Sequence, residues 1–497
     1  MEYRSTRGDD QHTLSGAAAI LQGLAPDGGL YVPVKFPQPE FKLQQLVQLS
    51  YQQIAQLVLS WFFDDFSAEQ IKTSVTAAYG DHFDRKEIVP VTKKVGGNYY
   101  MELFHGPTLA FKDVALQLLP YLMTNAATIQ HSNRQIVILT ATSGDTGTAS
   151  MRGFSDVDGT QVIVFYPYQG VSPIQLKQML SQPGQNLKVA AVKGNFDQAQ
   201  TMVKQIFNDQ AFNEQLHKQG AQFSSANSMN IGRLIPQVAY YFNTYSQLVK
   251  RGEIELGDQI NFAVPTGNFG DILAGYYAKK LGLPINKLIC ASNQNNVLTE
   301  FIRTGNYDRN RPFYQTNAPS MDILVSSNLE RLLFMIADED EHVVVDLMNQ
   351  LQQTGKYQIT PEMHAKMDSF VSGFAAEKEV EQEINRVFHE NHYAIDPHTA
   401  VASKVVRNLQ ELTDDSKPTV ILATASPYKF PETVLKAITG QSAQETGLPA
   451  VKQLNQYLGD DIPAGIQELD TANSIAETVI EPALMKNLIT KSLIARQ

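Results

Sequence analysis

A lysine in apolar company is the first residue whose surroundings could give it chemistry. Glu102-Leu-Phe-His-Gly-Pro-Thr-Leu-Ala-Phe-Lys-Asp113 runs into Val114, Leu116, Leu118, Leu119 and Leu122, which puts Lys112 at the head of a hydrophobic helix. Burial disfavours an ammonium, lowers its pKa and leaves an amine able to attack a carbonyl and form a Schiff base. Three strand ends carry further candidates. Thr140-Ala-Thr-Ser-Gly-Asp-Thr-Gly-Thr-Ala149 offers hydroxyls, glycines and backbone N–H groups opening a helix, a natural anion site, but contains no P-loop lysine motif. In Val264-Pro-Thr-Gly-Asn-Phe-Gly-Asp-Ile272, Gly267 and Gly270 allow close backbone approach, and a phosphate there would meet the N–H donors and dipole of the next helix. Leu422-Ala-Thr-Ala-Ser-Pro427 ends a strand with two hydroxyls. Finally, Ser224-Ser-Ala-Asn-Ser-Met-Asn-Ile-Gly-Arg233 clusters amides, hydroxyls and one arginine before a long helix, a donor set suited to a phosphate dianion. Taken singly, each also reads as ordinary structure: a helix-start lysine, a Gly-rich turn, a strand exit, a capped helix with a salt-bridging arginine.

These residues need a scaffold that gathers them. Short apolar, β-branched runs at 99–104, 136–140, 162–166, 187–192, 260–264, 287–291 and 420–424 are followed by Gly, Ser or Pro turns, and most then by helical stretches. That alternation predicts parallel sheet covered on both faces, with ligands beyond the carboxyl ends of the strands. Residues 1–95 read as mostly helical, with helices over 15–24 and 41–63 and another begun by Ser67, whose capping-box partner is Gln70. The region 328–413 also reads as largely helical. There the run Glu377-Lys-Glu-Val-Glu-Gln-Glu383 is expected on a solvated face, and Asp396-Pro397 caps a helix with Pro at its first position.

Composition narrows the function classes. A chain of 497 residues exceeds one ordinary core, and 43% hydrophobic with 18% charged residues is a globular mix. Forty Lys and Arg against 51 Asp and Glu give a net charge of −11, which argues against a general nucleic-acid binder. The single cysteine, Cys290, excludes an intramolecular disulfide and any multi-cysteine metal cluster, and fits a reducing compartment. Met1 to Asp10 has no apolar signal core, and no uninterrupted run of about 18 apolar residues occurs, so a cytoplasmic protein without a membrane span is expected.

The order of the motifs is more specific than any one of them. Gly23-Leu-Ala-Pro-Asp-Gly-Gly-Leu-Tyr-Val-Pro33, His105-Gly-Pro-Thr-Leu-Ala-Phe-Lys-Asp113, Thr142-Ser-Gly-Asp-Thr-Gly147, Ser225-Ala-Asn-Ser-Met-Asn-Ile-Gly-Arg233, Pro265-Thr-Gly-Asn-Phe-Gly-Asp271 and Asp396-Pro-His-Thr-Ala400 follow one another over most of the chain. This series resembles the fold-type-II pyridoxal-phosphate enzymes, and within them the threonine synthases of the longer branch with an added N-terminal segment. The resemblance implies two parallel-sheet α/β lobes with a mostly helical N-terminal domain over 1–95. The catalytic core would span 96–450, its smaller lobe roughly 113–195 and its larger lobe the rest, with a C-terminal helical segment over 451–497.

The same resemblance implies conversion of O-phospho-L-homoserine and water to L-threonine and phosphate, with pyridoxal 5′-phosphate as cofactor, in a monomer or homodimer. Carried over residue by residue, Lys112 holds the cofactor as a Schiff base and shuttles the proton. Gly267, Asn268, Phe269, Gly270 and Asp271 hold the cofactor phosphate, and Thr424 faces the pyridine nitrogen. Ser143, Gly144, Asp145, Thr146 and Gly147 line the substrate carboxylate and the ring. Asn227, Ser228 and Arg233, helped by Asn268, hold the substrate phosphate. Many fold-type-II relatives have Asn where Asp145 stands; an ionised Asp accepts hydrogen bonds but donates none. Two other readings remain open: a sister lyase such as a serine/threonine dehydratase, which would not need the phosphate-directed residues, and a non-catalytic homologue that binds a ligand, against which the presence of Lys112 counts.

Overall fold

The computed structural model describes residues 1–9, 11–142, 144–194, 196–413 and 415–494. Two five-stranded, all-parallel sheets organise it. The first has the order Phe370–Phe374, Ile285–Ser292, Ile260–Pro265, Thr419–Ala423, Tyr99–Glu102. The second has the order Val479–Ile480, Leu187–Val192, Thr160–Pro167, Gln135–Ala141, Ala221–Ser224. The inner strands are buried on both faces, which is why they read as unbroken apolar runs. Their ends move by only one or two residues from the sequence expectation.

Three of the four edge strands are where the sequence misleads; the fourth, Tyr99–Glu102, falls within the expected 99–104 run. Phe370–Phe374 lies inside the region expected to be helical, because Phe370-Val-Ser-Gly-Phe374 is short and its apolar run is broken by Ser372 and Gly373. Ala221–Ser224 and Val479–Ile480 are too short to show a period, yet both extend the second sheet beyond the 135–192 strands. The C-terminal stretch otherwise forms the helices Leu448–Leu458, Ala464–Thr471 and Met485–Ile494. The acidic run also departs from expectation. Glu383 is fully buried, paired with Arg386 (2.7 Å) and Arg407 (3.1 Å) and accepting from Ser403 Oγ, so its helix Glu377–Asn391 is not simply a solvated face.

The N-terminal region holds the helices Gly16–Gln22, Leu43–Leu46, Tyr51–Phe62 and Ala68–Ala78, plus an antiparallel sheet of Leu14–Ser15, Glu2–Ser5 and Tyr31–Pro33. The 41–63 stretch breaks in two because Ser50 and Gln53 form a capping box that starts a new helix; Ser67 and Gln70 do the same as expected. This region braces the site from behind. Helix Tyr51–Phe62 packs on the buried helix Ile231–Lys250, which in turn packs on Gly270–Lys280. Asn230 Nδ2 donates to Ile20 O (3.0 Å), and Arg331 donates to both Tyr31 O (3.0 Å) and Met229 O (2.7 Å). Each side chain such as Ile20 or Leu234 that leaves water contributes roughly 1.5–3 kcal/mol, so the 224–233 segment is anchored by packing as well as by hydrogen bonds. No described helix is long and apolar enough to cross a membrane.

Candidate active site

The carboxyl ends of three strands open on one cleft that encloses about 100 Å³. Lys112, Asp145, Thr146, Asn227, Ser228, Arg233, Gly267 to Asp271 and Thr424 all line it. Gly144 and Gly147 do not. Gly144, at a φ of +130° that only glycine adopts readily, begins helix Asp145–Phe154, and Gly147 packs so closely on Thr142 and Val164 that a Cβ would lie 2.6 Å from Thr142 Cγ2. Both donate their N–H to Thr142 Oγ1 (2.9 Å each) and shape the turn from beneath. Ser143 lies outside the described residues.

Lys112 opens helix Lys112–Leu116 and is buried. Its Nζ donates to Ser320 Oγ (3.2 Å) and lies 3.7 Å from Asp145 Oδ2. Burial pulls its ammonium down to about 8, Asp145 working against this and Arg233 and Lys429 adding to it. Asp145 receives Gln175 Nε2 (2.8 Å) and Ser320 Oγ (2.9 Å) and pairs with Lys429 Nζ at 3.0 Å. Burial raises its pKa, but Lys429 and Lys112 outweigh it and hold the carboxyl well below the usual range. Asp145 is therefore an acceptor, not the neutral donor that an Asn would be.

Ser320 is fixed in turn by its N–H, which donates to His398 Nε2 (3.2 Å); His398 Nδ1 then carries the proton and donates to Asp396 Oδ2 (2.6 Å). Sequence reasoning assigned no role to Ser320, Gln175, His398 or Lys429. His398 stood inside the quoted Asp396-Pro-His-Thr-Ala400 motif, and Lys429 stood alone among Pro427, Tyr428 and Phe430 just past a strand end, so both had a signal; Ser320 and Gln175 had none.

The glycine loop forms the opposite wall. Phe269, held at a left-handed φ of 63° with its ring against Phe370, precedes helix Gly270–Lys280, and no side chain caps that helix. Its first N–H groups therefore face the cleft with the helix dipole behind them. A Cβ on Gly267 would lie 2.9 Å from Ser320 O, so the loop sits close under the 319–323 segment. Asp271 Oδ1 accepts from Tyr240 OH and Tyr241 OH, its Oδ2 is buried without a partner, and burial pushes its pKa up to about 6.

Arg233 completes the arrangement. It is buried, donates through one NH to Ala226 O (2.8 Å), and leaves Nε unpartnered; beside it in the lining, Asn227 Oδ1 is also unpartnered. Burial pulls its guanidinium down to about 10, opposed only by Tyr240, and no described carboxylate pairs with it.

Two parallel-sheet lobes, a buried amine of lowered pKa and an uncapped helix N-terminus across one cleft define a fold-type-II pyridoxal-phosphate enzyme. The family model described as "Pyridoxal-phosphate dependent enzyme" matches residues 88–352, and models for the threonine synthase N terminus and C-terminal region match 2–79 and 399–474. The chain is 37% identical to the threonine synthase of Saccharomyces cerevisiae over 99% of this chain and 98% of that one. It is 40% identical to human threonine synthase-like 1 over 88% of this chain, spanning 60% of that protein's length. A crystal structure of pyridoxal-phosphate-bound threonine synthase from Brucella melitensis superposes with a TM-score of 0.86 at 36% identity, covering 99% of both chains. The chain belongs to the threonine synthase family. Its residues fit the family's cofactor: Lys112 offers an amine with an appreciable neutral fraction, and the uncapped first turn of Gly270–Lys280 offers free N–H groups to a phosphate.

Proposed function

We propose that the chain converts O-phospho-L-homoserine and water to L-threonine and phosphate. One observation carries this reading: Arg233 is a buried cation with no described carboxylate, opening on the same cleft as Lys112. A buried charge without a partner is costly, and an entering phosphate dianion supplies that partner. A dehydratase acting on serine or threonine has no such anion to bring.

Pyridoxal phosphate, when bound, supplies the electron sink that acidifies the carbons next to the substrate amine. The chain's own residues do the rest. Lys112 carries the cofactor, and its Nζ, neutral in part near pH 7–8, takes the Cα proton and later returns it. Gly267 to Asp271 hold the cofactor phosphate against the helix N-terminus. Thr424, with its N–H facing Thr399 Oγ1, offers the ring nitrogen a neutral hydroxyl. Thr146 would line the substrate carboxylate, whereas Asp145, held ionised by Lys429 and Lys112, accepts hydrogen bonds only and would face the cofactor ring rather than that carboxylate. Asn227, Ser228, Asn268 and Arg233 bind the substrate phosphate and neutralise it as it leaves Cγ. Ser228 is oriented for this by Asn328 Nδ2 (3.1 Å), which also donates to Asn268 O (3.1 Å). Water must reach Cβ only after phosphate departs, a task for the two walls of the cleft.

The test is direct. Purified protein supplied with O-phosphohomoserine should release phosphate and threonine in equal amounts. Turnover of serine or threonine without phosphate release would make it a dehydratase, and no turnover of any of them a non-catalytic relative.

A further inference from the structure

Lys429 does not line the cleft, yet it is tied into it. Its Nζ is fully buried, donates to Thr108 O (2.7 Å) and sits 3.0 Å from Asp145 Oδ1, the oxygen that also accepts from Gln175 (2.8 Å). Asp145 Oδ2 is thereby left for Ser320 Oγ (2.9 Å), with Lys112 Nζ 3.7 Å away. Thr108 is itself fixed: its N–H donates to Asp113 Oδ2 (2.8 Å) and its Oγ1 to Asp113 Oδ1 (2.7 Å), and Asp113 follows Lys112 in the chain. Lys112, Ser320, Asp145, Lys429, Thr108 and Asp113 thus close a ring of contacts around the reactive amine. A buried ion pair adds little net stability, so the consequence of such a ring lies in orientation and charge state.

We propose that Lys429 is a positioning residue for the chemistry at Lys112. It clamps Asp145 as a carboxylate by Oδ1, so that Oδ2 and the Ser320 hydroxyl present a fixed acceptor pair to which the Lys112 amine returns whenever it is free. Lys429 acts through Asp145 and touches neither cofactor nor substrate. The inference rests on Lys112 being the cofactor lysine, and Lys429 is the other buried amine near enough to compete for that role.

Borohydride reduction of the wild-type holoenzyme followed by peptide mapping separates the two questions first. A label on Lys112 upholds the underlying reading, whereas a label on Lys429 overturns both. Holoenzymes carrying Lys429→Met, Asp145→Asn and both substitutions are then compared for turnover of O-phosphohomoserine and for circular dichroism of the cofactor band, which reports orientation rather than stability. Each single variant should lower kcat about 100-fold, the effect of a misplacement near 1 Å, with KM little changed and the dichroism altered. The double variant should fall no more than about threefold below the worse single, because the two residues act as one unit. Losses that multiply, with the dichroism of Lys429→Met unchanged, would make Lys429 a structural residue and overturn the proposal. Should Lys429→Met fail to fold, the double variant, which removes both buried charges, is set against Asp145→Asn alone: equality supports the proposal, and a further 100-fold loss overturns it.

Discussion

Two buried cations face one cleft and are treated in opposite ways. Lys112 has a carboxylate 3.7 Å away, shared with the buried Lys429, and Asp113, on which Lys429 also acts, supplies a second acid, so the Lys112 side is charge-balanced as it stands. Arg233 has a backbone carbonyl, an idle Nε and no described acid; Asp271, two residues into the neighbouring helix, is engaged by Tyr240 and Tyr241 instead. The difference separates two tasks. A balanced site tunes and places a group that stays, whereas a site short of one anion is built for a group that comes and goes. An anion arriving at Arg233 relieves a desolvation cost already incurred, which turns part of the folding free energy into binding.

The comparison is broken most completely at Lys112. Lys112→Ala should abolish turnover and any lysine-bound cofactor absorbance, because Lys429 is locked between Thr108 O and Asp145 and does not line the cleft. Residual turnover with a reducible cofactor on another lysine would show that the balanced side is not the reactive one. The next largest effect belongs to the other cation. Arg233→Ala should weaken kcat/KM on O-phosphohomoserine by roughly 2–5 kcal/mol, as when one partner of a buried charge pair is removed. Reaction with unphosphorylated serine should barely change. Equal losses on both substrates would make Arg233 a structural residue and place the phosphate elsewhere.

How much of this was legible beforehand follows from the same contrast. Cleft-lining residues with a local signal were readable: Lys112 before an apolar run, Gly267 and Gly270 at a strand end, Asn227 before a helix and Arg233 in its first turn. The inner strands were equally plain, since burial on both faces writes an unbroken apolar run. Residues that act through tertiary contact were not. Ser320 comes from a short helical turn more than 200 positions after Lys112, Gln175 is a capping-box glutamine whose side chain happens to reach Asp145, and nothing local marks either one. Gly144 and Gly147 were carried over from the family resemblance with Asp145; in the structure both shape the tight turn beneath that residue. The edge strand Phe370–Phe374 escaped because Ser372 and Gly373 interrupt its short apolar run.

A smaller change probes whether the balanced side tolerates added charge. Thr424, buried and with its N–H on Thr399 Oγ1, would on the proposed reading give the ring nitrogen no charge with which to stabilise a pyridinium. Thr424→Asp would favour protonation there and add a second carboxylate to the cleft that Lys112 lines, where Lys112 already shares Asp145 with the Lys429 behind it. Threonine formation should fall, with side reactions rising and the cofactor absorbance shifted. An unchanged spectrum and product ratio would put another group at that nitrogen.

The smallest effect concerns Asp271, an acid of the cleft lining that pairs with Tyr240 and Tyr241 rather than with Arg233. Burial raises its pKa from 3.8 to about 6, and the two tyrosine donors only partly offset that. The folded state therefore holds this proton more tightly than the unfolded state between those two values. Stability from this group is fully present below about pH 3.8 and is lost as pH rises through 6, the reverse of an ordinary salt-bridged carboxylate. Asp271→Asn keeps an oxygen for Tyr240 and Tyr241 and removes the charge that must be buried above pH 6. The variant should match wild type near pH 4 and gain on it by roughly 1–3 kcal/mol at pH 8. Asp113, raised to about 6 by burial as well, remains in both proteins and keeps part of the slope. Melting temperatures of the two proteins at pH 4, 6 and 8 decide the matter. A variant that loses ground as pH rises would mean that Asp271 is stabilised as a carboxylate, and hence that the Arg233 side has its acid after all.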